Sequence, residues 1–124
     1  MKPGVAKRAG GDHENWVCQH INERHGTEYE RRRLMGSKDC GDLTTPFVTE
    51  CKKAGALSIP EWLRELEAEI VNAQAPTGFI AARIKGRSEA DVTAYYAILP
   101  MERMLDLLAE AGHLPPRVDR EPAS

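Results

Sequence analysis

Two acids and a lysine stand close together in the first half of the chain: Asp42, then Glu50 eight residues later, then Lys52. In an extended strand side chains alternate between the two faces, so Glu50 and Lys52 project one way while Phe47, Thr49 and Cys51 project the other. An Asp ending one short segment and a Glu in the next strand supply hard oxygen ligands for Mg2+. A nearby Lys can stabilise a pentavalent phosphate or help deprotonate an attacking water. The chemistry these residue types suit is metal-assisted phosphodiester cleavage. An acid and a lysine one residue apart are also common on solvated strand faces. Here, however, residues 47–51 are apolar or β-branched enough for a buried strand, and they run directly into Lys52-Lys53 and the turn residue Gly55. A charged pair at the end of a buried strand is where α/β proteins tend to place their sites.

Gly36-Ser37-Lys38-Asp39-Cys40-Gly41-Asp42-Leu43, followed by Glu50-Cys51-Lys52, resembles the PD-(D/E)xK nuclease superfamily and, within it, the small archaeal and phage-type Holliday junction resolvases. The resemblance spans about residues 11–111. Relatives of that kind open with a helix bearing an active-site Glu, pass through a Gly-Ser turn into the metal-binding Asp, and continue into the Glu-x-Lys strand. The resemblance implies a Mg2+-dependent endodeoxyribonuclease, with Mn2+ as a substitute, acting on four-way junctions or other branched DNA. Asp42 and Glu50 would hold the metal, with the backbone carbonyl of Cys51 as an additional ligand. Lys52 would activate water and stabilise transition-state charge. Glu14 would be the helix Glu, binding a second metal or positioning water, and Ser37 would contact the phosphate. Asp39, in the same turn, could contact phosphate or metal-bound water. One departure is Gly41, which stands where a proline would precede the Asp.

Length and composition agree with one compact domain. The chain has 124 residues, 41% hydrophobic and 29% charged, and can bury a single core. No apolar run approaches the ~20 residues needed to span a bilayer, and the N-terminus lacks the apolar core of a signal peptide. No membrane association is expected, and a cytoplasmic protein of a prokaryote or phage-infected host is. Cys18, Cys40 and Cys51 are an odd number without a C-x-x-C spacing, which suggests neither a disulfide framework nor a zinc ribbon. His13, His20 and His25 lie near Cys18, but their spacings match no closed four-ligand zinc pattern.

A net charge of -2 argues mildly against a nucleic-acid partner. Distribution matters more than the total. Arg31, Arg32 and Arg33 form one basic cluster, Lys52 and Lys53 a second, and Arg83, Lys85 and Arg87 a third. The acids of residues 61–69 and 102–110 fall on predicted helices and read as solvated surface. If those helices pack on the far side of the sheet, one face is left basic, with Arg31, Arg32, Arg33, Arg83 and Lys85 gripping the DNA backbone. A four-way junction has near-twofold symmetry, so two matched incisions call for an isologous homodimer.

The elements that must position these residues follow from local patterns. Residues 1–11 read as a loose basic arm. A helix is expected over residues 12–26, with Glu14, Val17, Cys18 and Ile21 on one face. Residues 27–34 look like a first strand, and residues 43–51 like a second, or a hairpin, interrupted near Thr45-Pro46. Ser58-Ile59-Pro60-Glu61 opens a helix whose Trp62, Leu63, Leu66, Ile70 and Ala73 are core, with Glu69 beside them as a weaker site candidate. Residues 78–85 and 92–99 read as two buried strands. Residues 101–111 form a last helix with a broad apolar face, and residues 113–124 a mobile Pro-containing tail. The resulting order, α-β-β-β-α-β-β-α or close to it, is an α/β fold with a mixed central sheet flanked by helices, restriction-endonuclease-like, in a domain of residues 12–112. Two other classes stay open: a restriction-type or repair nuclease on the same fold, and a non-catalytic interaction protein.

Overall fold

The computed structural model describes residues 12–32, 39–53 and 58–118. The expected arm, Ser37 and Arg33, and the last six residues of the tail lie outside them. Among the described residues the chain is α/β, with three helices and one small mixed sheet: α1 (Asp12–His25), β1 (Val48–Lys53), α2 (Ile59–Ala73), β2 (Gly78–Arg83), a 3-10 turn (Val92–Ala94), β3 (Tyr96–Ile98) and α3 (Met101–Glu110). The strand order is β1-β2-β3, with β1 parallel to β2 and β2 antiparallel to β3. No helix among the described residues is long and apolar enough to cross a membrane.

Parallel neighbours need a crossover, and α2 supplies it. Pro60 occupies its first turn, where a missing N–H costs nothing. Trp62, Leu66 and Ile70 recur at four-residue spacing and are buried. The helix stops at Gln74, whose left-handed backbone (φ 52) sends its N–H back to the carbonyls of Ile70 and Val71. Strand alternation then divides the interior. Val48, Ile80 and Ala82 pack with Trp62, Leu66 and Ile70 beneath α2, whereas Cys51 and Ala81 pack with Val17 and Cys18 of α1 and with Leu43. The two parallel strands meet closely at Gly78, where an added Cβ would lie 2.7 Å from Val48 Cβ and 2.8 Å from Val48 O.

Three expectations need correction. The strand over residues 27–34 reduces, within its described part, to one isolated antiparallel bridge between Arg31 and Leu43. Side chains take the backbone groups a ladder would use: Thr44 Oγ1 accepts from Glu30 N–H, and Asn22 accepts from Tyr29 N–H and donates to Tyr29 O. The segment over residues 43–51 is interrupted at Thr45-Pro46 as expected, where the Thr45 hydroxyl donates to Phe47 O, but its regular strand begins only at Val48 and runs on to Lys53. Residues 92–99 are not a buried strand. They begin as the 3-10 turn, and β3 is a short, largely exposed edge. The element order among the described residues is therefore α-β-α-β-β-α. Residues 113–118 are exposed and without regular structure.

Candidate functional site

Gly41 sets the first half of the site. Its φ of +97 lies where L side chains are strained, and a Cβ there would come within 3.0 Å of Val48 Cγ1. Proline, held near φ −65°, could not make this turn; glycine before Asp42 is a requirement of this backbone. The turn lays Asp42 along the outer edge of β1. Asp42 N–H donates to Thr49 O at 2.9 Å, and Asp42 Oδ2 accepts from Cys51 N–H at 2.7 Å. The Cys51 N–H thus points away from β2. Because a strand residue directs its N–H and C=O to the same side, the Cys51 carbonyl faces this edge too.

β1 sets the second half. Glu50 and Lys52 share the face covered by α2, with Lys52 Nζ 3.5 Å from Glu50 Oε2 and 2.8 Å from Glu65 Oε1 of α2. Glu69, one turn further along α2, is buried beside them. One oxygen from each of Asp39, Glu50 and Glu69 lies within 4.8 Å of the others. Asp39 is fastened there from two directions, since its carbonyl accepts from Asn72 Nδ2 of α2 at 3.0 Å and its Oδ1 accepts from Gly41 N–H at 2.9 Å.

Gathering acids in a dry place raises their proton affinity. Burial, then the charges of Asp42 and Glu69, push the Glu50 carboxyl up to about 9. Burial, then the hydrogen bond and charge of Asp39, push Glu69 up to about 8. Glu14 is also raised, by burial and by Asp42, against the opposing pull of Arg31, whose Nε donates to Glu14 Oε1 at 3.0 Å. Burial draws Lys52 downward, but the Glu65 hydrogen bond and the charges of Glu50 and Glu65 outweigh it and hold the ammonium above its ordinary value. Burial pushes the Cys51 thiol far up, so it stays protonated and offers no soft anionic ligand. His13 is buried, and burial lowers its pKa, opposed in part by its approach to the Cys51 backbone as a hydrogen-bond donor.

Of the residues singled out by sequence, Glu14, Asp42, Glu50, Cys51 and Lys52 come together around β1. The arginines are more dispersed. Arg31 is engaged by Glu14, and Arg32 is exposed with Nε near Leu43 O at 3.3 Å. Arg83 turns inward, its guanidinium 3.6 Å from Glu89 and donating to Arg87 O at 3.2 Å, while Lys85 is exposed. The expectation that the acidic helices lie on the far side fails for α2. This helix covers the Glu50 and Lys52 face, and its Glu65 and Glu69 belong to the site, whereas its Glu67 pairs with Arg103 of α3. Glu65 and Glu69 were read as surface or as a weak candidate, yet Glu69 is only 4% exposed. Its signal was position, three residues beyond Leu66 and seven beyond Trp62 on the apolar stripe. The histidines and Cys18 form no zinc cluster among the described residues: Cys18 Sγ donates to Tyr29 O, and His25 pairs with Arg24. No family model, curated protein or solved structure matches the chain.

Proposed function

We propose that the chain is a Mg2+-dependent endodeoxyribonuclease with a restriction-endonuclease-like core, acting as a homodimeric Holliday junction resolvase in the cytoplasm of a prokaryote or phage-infected host. The observation that carries this reading is the 3.5 Å pairing of Lys52 Nζ with Glu50 Oε2 on one face of β1, with Asp42 fixed on the adjacent edge by Cys51 N–H. Glu50 Oε1 is buried without a hydrogen-bond partner among the described residues, which suits an oxygen that takes a cation. Asp42, Glu50 and the Cys51 carbonyl would hold Mg2+ or Mn2+, which supplies Lewis acidity and lowers the pKa of water. Lys52, kept cationic by Glu65 and Glu50, stabilises the negative charge that grows on the phosphate. Glu14 reaches the same edge from α1, near Asp42, where it can orient water.

A dimeric arrangement has support in α3. It carries Met101 and Met104 exposed, and Leu105, Leu107 and Leu108 half-buried, with no side chain of the helix fully buried. Two copies packed through this face would double the exposed basic residues that each chain alone presents sparsely. The deciding experiment is a cleavage assay with Mg2+ on a four-way junction and on a linear duplex of equal length. The expected result is preferential junction cleavage by the parent and none by folded Glu50→Gln. Equal cutting of linear duplex would leave a general restriction-type or repair nuclease, and no cutting of either would remove the enzymatic reading.

A further inference from the structure

Two oxygens in the acid cluster have no hydrogen-bond partner among the described residues. Glu50 Oε1 and Glu69 Oε1 are out of solvent and accept no hydrogen bond from the described residues, in side chains of residues only 7% and 4% exposed. Burying such groups bare is costly, and their survival in a core calls for a compensating group. Lys52 does not fill the need. It approaches the other oxygen of Glu50, and its shorter contact, 2.8 Å, is with Glu65.

We propose that Asp39, Glu50 and Glu69 bind a divalent cation on the α2 face of β1, a second ion beside the one assigned to the Asp42 edge, with Glu50 common to both. The ligand oxygens lie within 4.8 Å of one another, a span that one ion with metal–oxygen distances of roughly 2.0–2.6 Å bridges with small adjustments. Asp39 is held ready for this by Asn72 and Gly41 rather than recruited from a free loop. It is also the exposed member of the three, so it marks the entrance and leaves coordination positions open to water. An all-carboxylate set selects Mg2+, Mn2+ or Ca2+ over softer ions.

The inference does not depend on the chain cutting DNA, and its test reads binding alone. The full chain, freed of metal and without DNA, is titrated with Mn2+ while unbound Mn2+ is followed by electron paramagnetic resonance. Glu69→Gln and Asp39→Asn should each lose one class of bound Mn2+ or weaken it by at least the roughly 10–100-fold that even an outer-shell loss costs. Asp42→Asn should keep that class. Thermal unfolding in EDTA controls for folding, and Glu69→Gln, relieved of a buried acid, should melt no lower than the parent. Mn2+ uptake by Glu69→Gln equal to the parent in number and affinity overturns the proposal, as does loss of all uptake in Asp42→Asn alone. Mn2+ binding as expected in a chain that cuts no DNA would keep this site and discard the nuclease.

Discussion

Glu65 Oε1 sits closer to Lys52 Nζ, at 2.8 Å, than Glu50 Oε2 does at 3.5 Å. The ammonium is therefore steered by a helix carboxylate as well as by its strand neighbour. Lys52→Met should lower cleavage by about 10²–10³-fold, the cost of losing one preorganised charge. Glu65→Gln should cost far less but move the alkaline limb of the pH–rate profile downward, because Lys52 loses the hydrogen bond that most raises its pKa. Lys53 points to the opposite face, toward Glu89 at 3.5 Å, and Lys53→Met should change mainly affinity. Equal rate losses at 52 and 53 would contradict the strand register.

Stability of the metal-free protein should fall as pH rises. Folded Glu50 and Glu69 keep their protons to about 9 and about 8, whereas an unfolded carboxyl releases its proton near ~4.3. Between those values the native state binds more protons than the unfolded chain, so the stabilisation is full below the unfolded pKa and is lost as pH climbs through the folded ones. Calorimetry in EDTA from about pH 5 to about pH 9 should show Tm declining throughout. Glu50→Gln should flatten that slope, and an unchanged slope would mean that Glu50 ionises freely in the folded protein.

Gly78→Ala probes the seam between the parallel strands. Its new methyl would fall 2.7 Å from Val48 Cβ and 2.8 Å from a backbone oxygen, neither of which can swing aside. A loss of roughly 1–3 kcal/mol is expected from such overpacking. Chemical denaturation would register it, and a neutral result would show that β1 and β2 sit further apart at this point.

Assembly is testable through α3. Met101→Lys with Met104→Lys places charge on its exposed apolar positions and should convert a dimer into monomers by light scattering without unfolding the chain. Junction binding by the parent should fall steeply with added salt as phosphate contacts release counterions. A parent that is monomeric with and without junction DNA would defeat the paired-incision reading.

How much of this was legible beforehand depended on the range of the forces involved. Strand alternation is local, so the shared face of Glu50 and Lys52 followed from their spacing alone. The same holds for Trp62, Leu66 and Ile70, whose four-residue period marks α2. The partnership of Asp39 with Glu69 spans thirty residues and arises only when Asn72 grips the Asp39 carbonyl, which no local pattern announces. Residues 27–32 and 92–95 carry strand-forming side chains, but backbone groups that pairing would need are taken elsewhere: Asn22 and Thr44 bind backbone of the first segment, and in the second the N–H groups of Ala94 and Tyr95 donate to the carbonyls of Asp91 and Val92. The pairing of Arg31 with Glu14 and of Arg83 with Glu89 is likewise a product of the fold, which no local pattern announces.

The crossover from β1 through α2 to β2 brings its own share of the site, because Glu50, Lys52, Glu65 and Glu69 all belong to it. Glu14, Asp39 and Asp42 arrive from the N-terminal side and are joined to it by two backbone-anchored bonds at Asp42, by the Asn72 bond to the Asp39 carbonyl, and by the smaller cluster around Val17, Leu43 and Cys51. Local opening usually begins where the interior is thinnest. Amide exchange should accordingly release α1 before the parallel strands, so the molecule would lose its competence while most of its architecture was still intact.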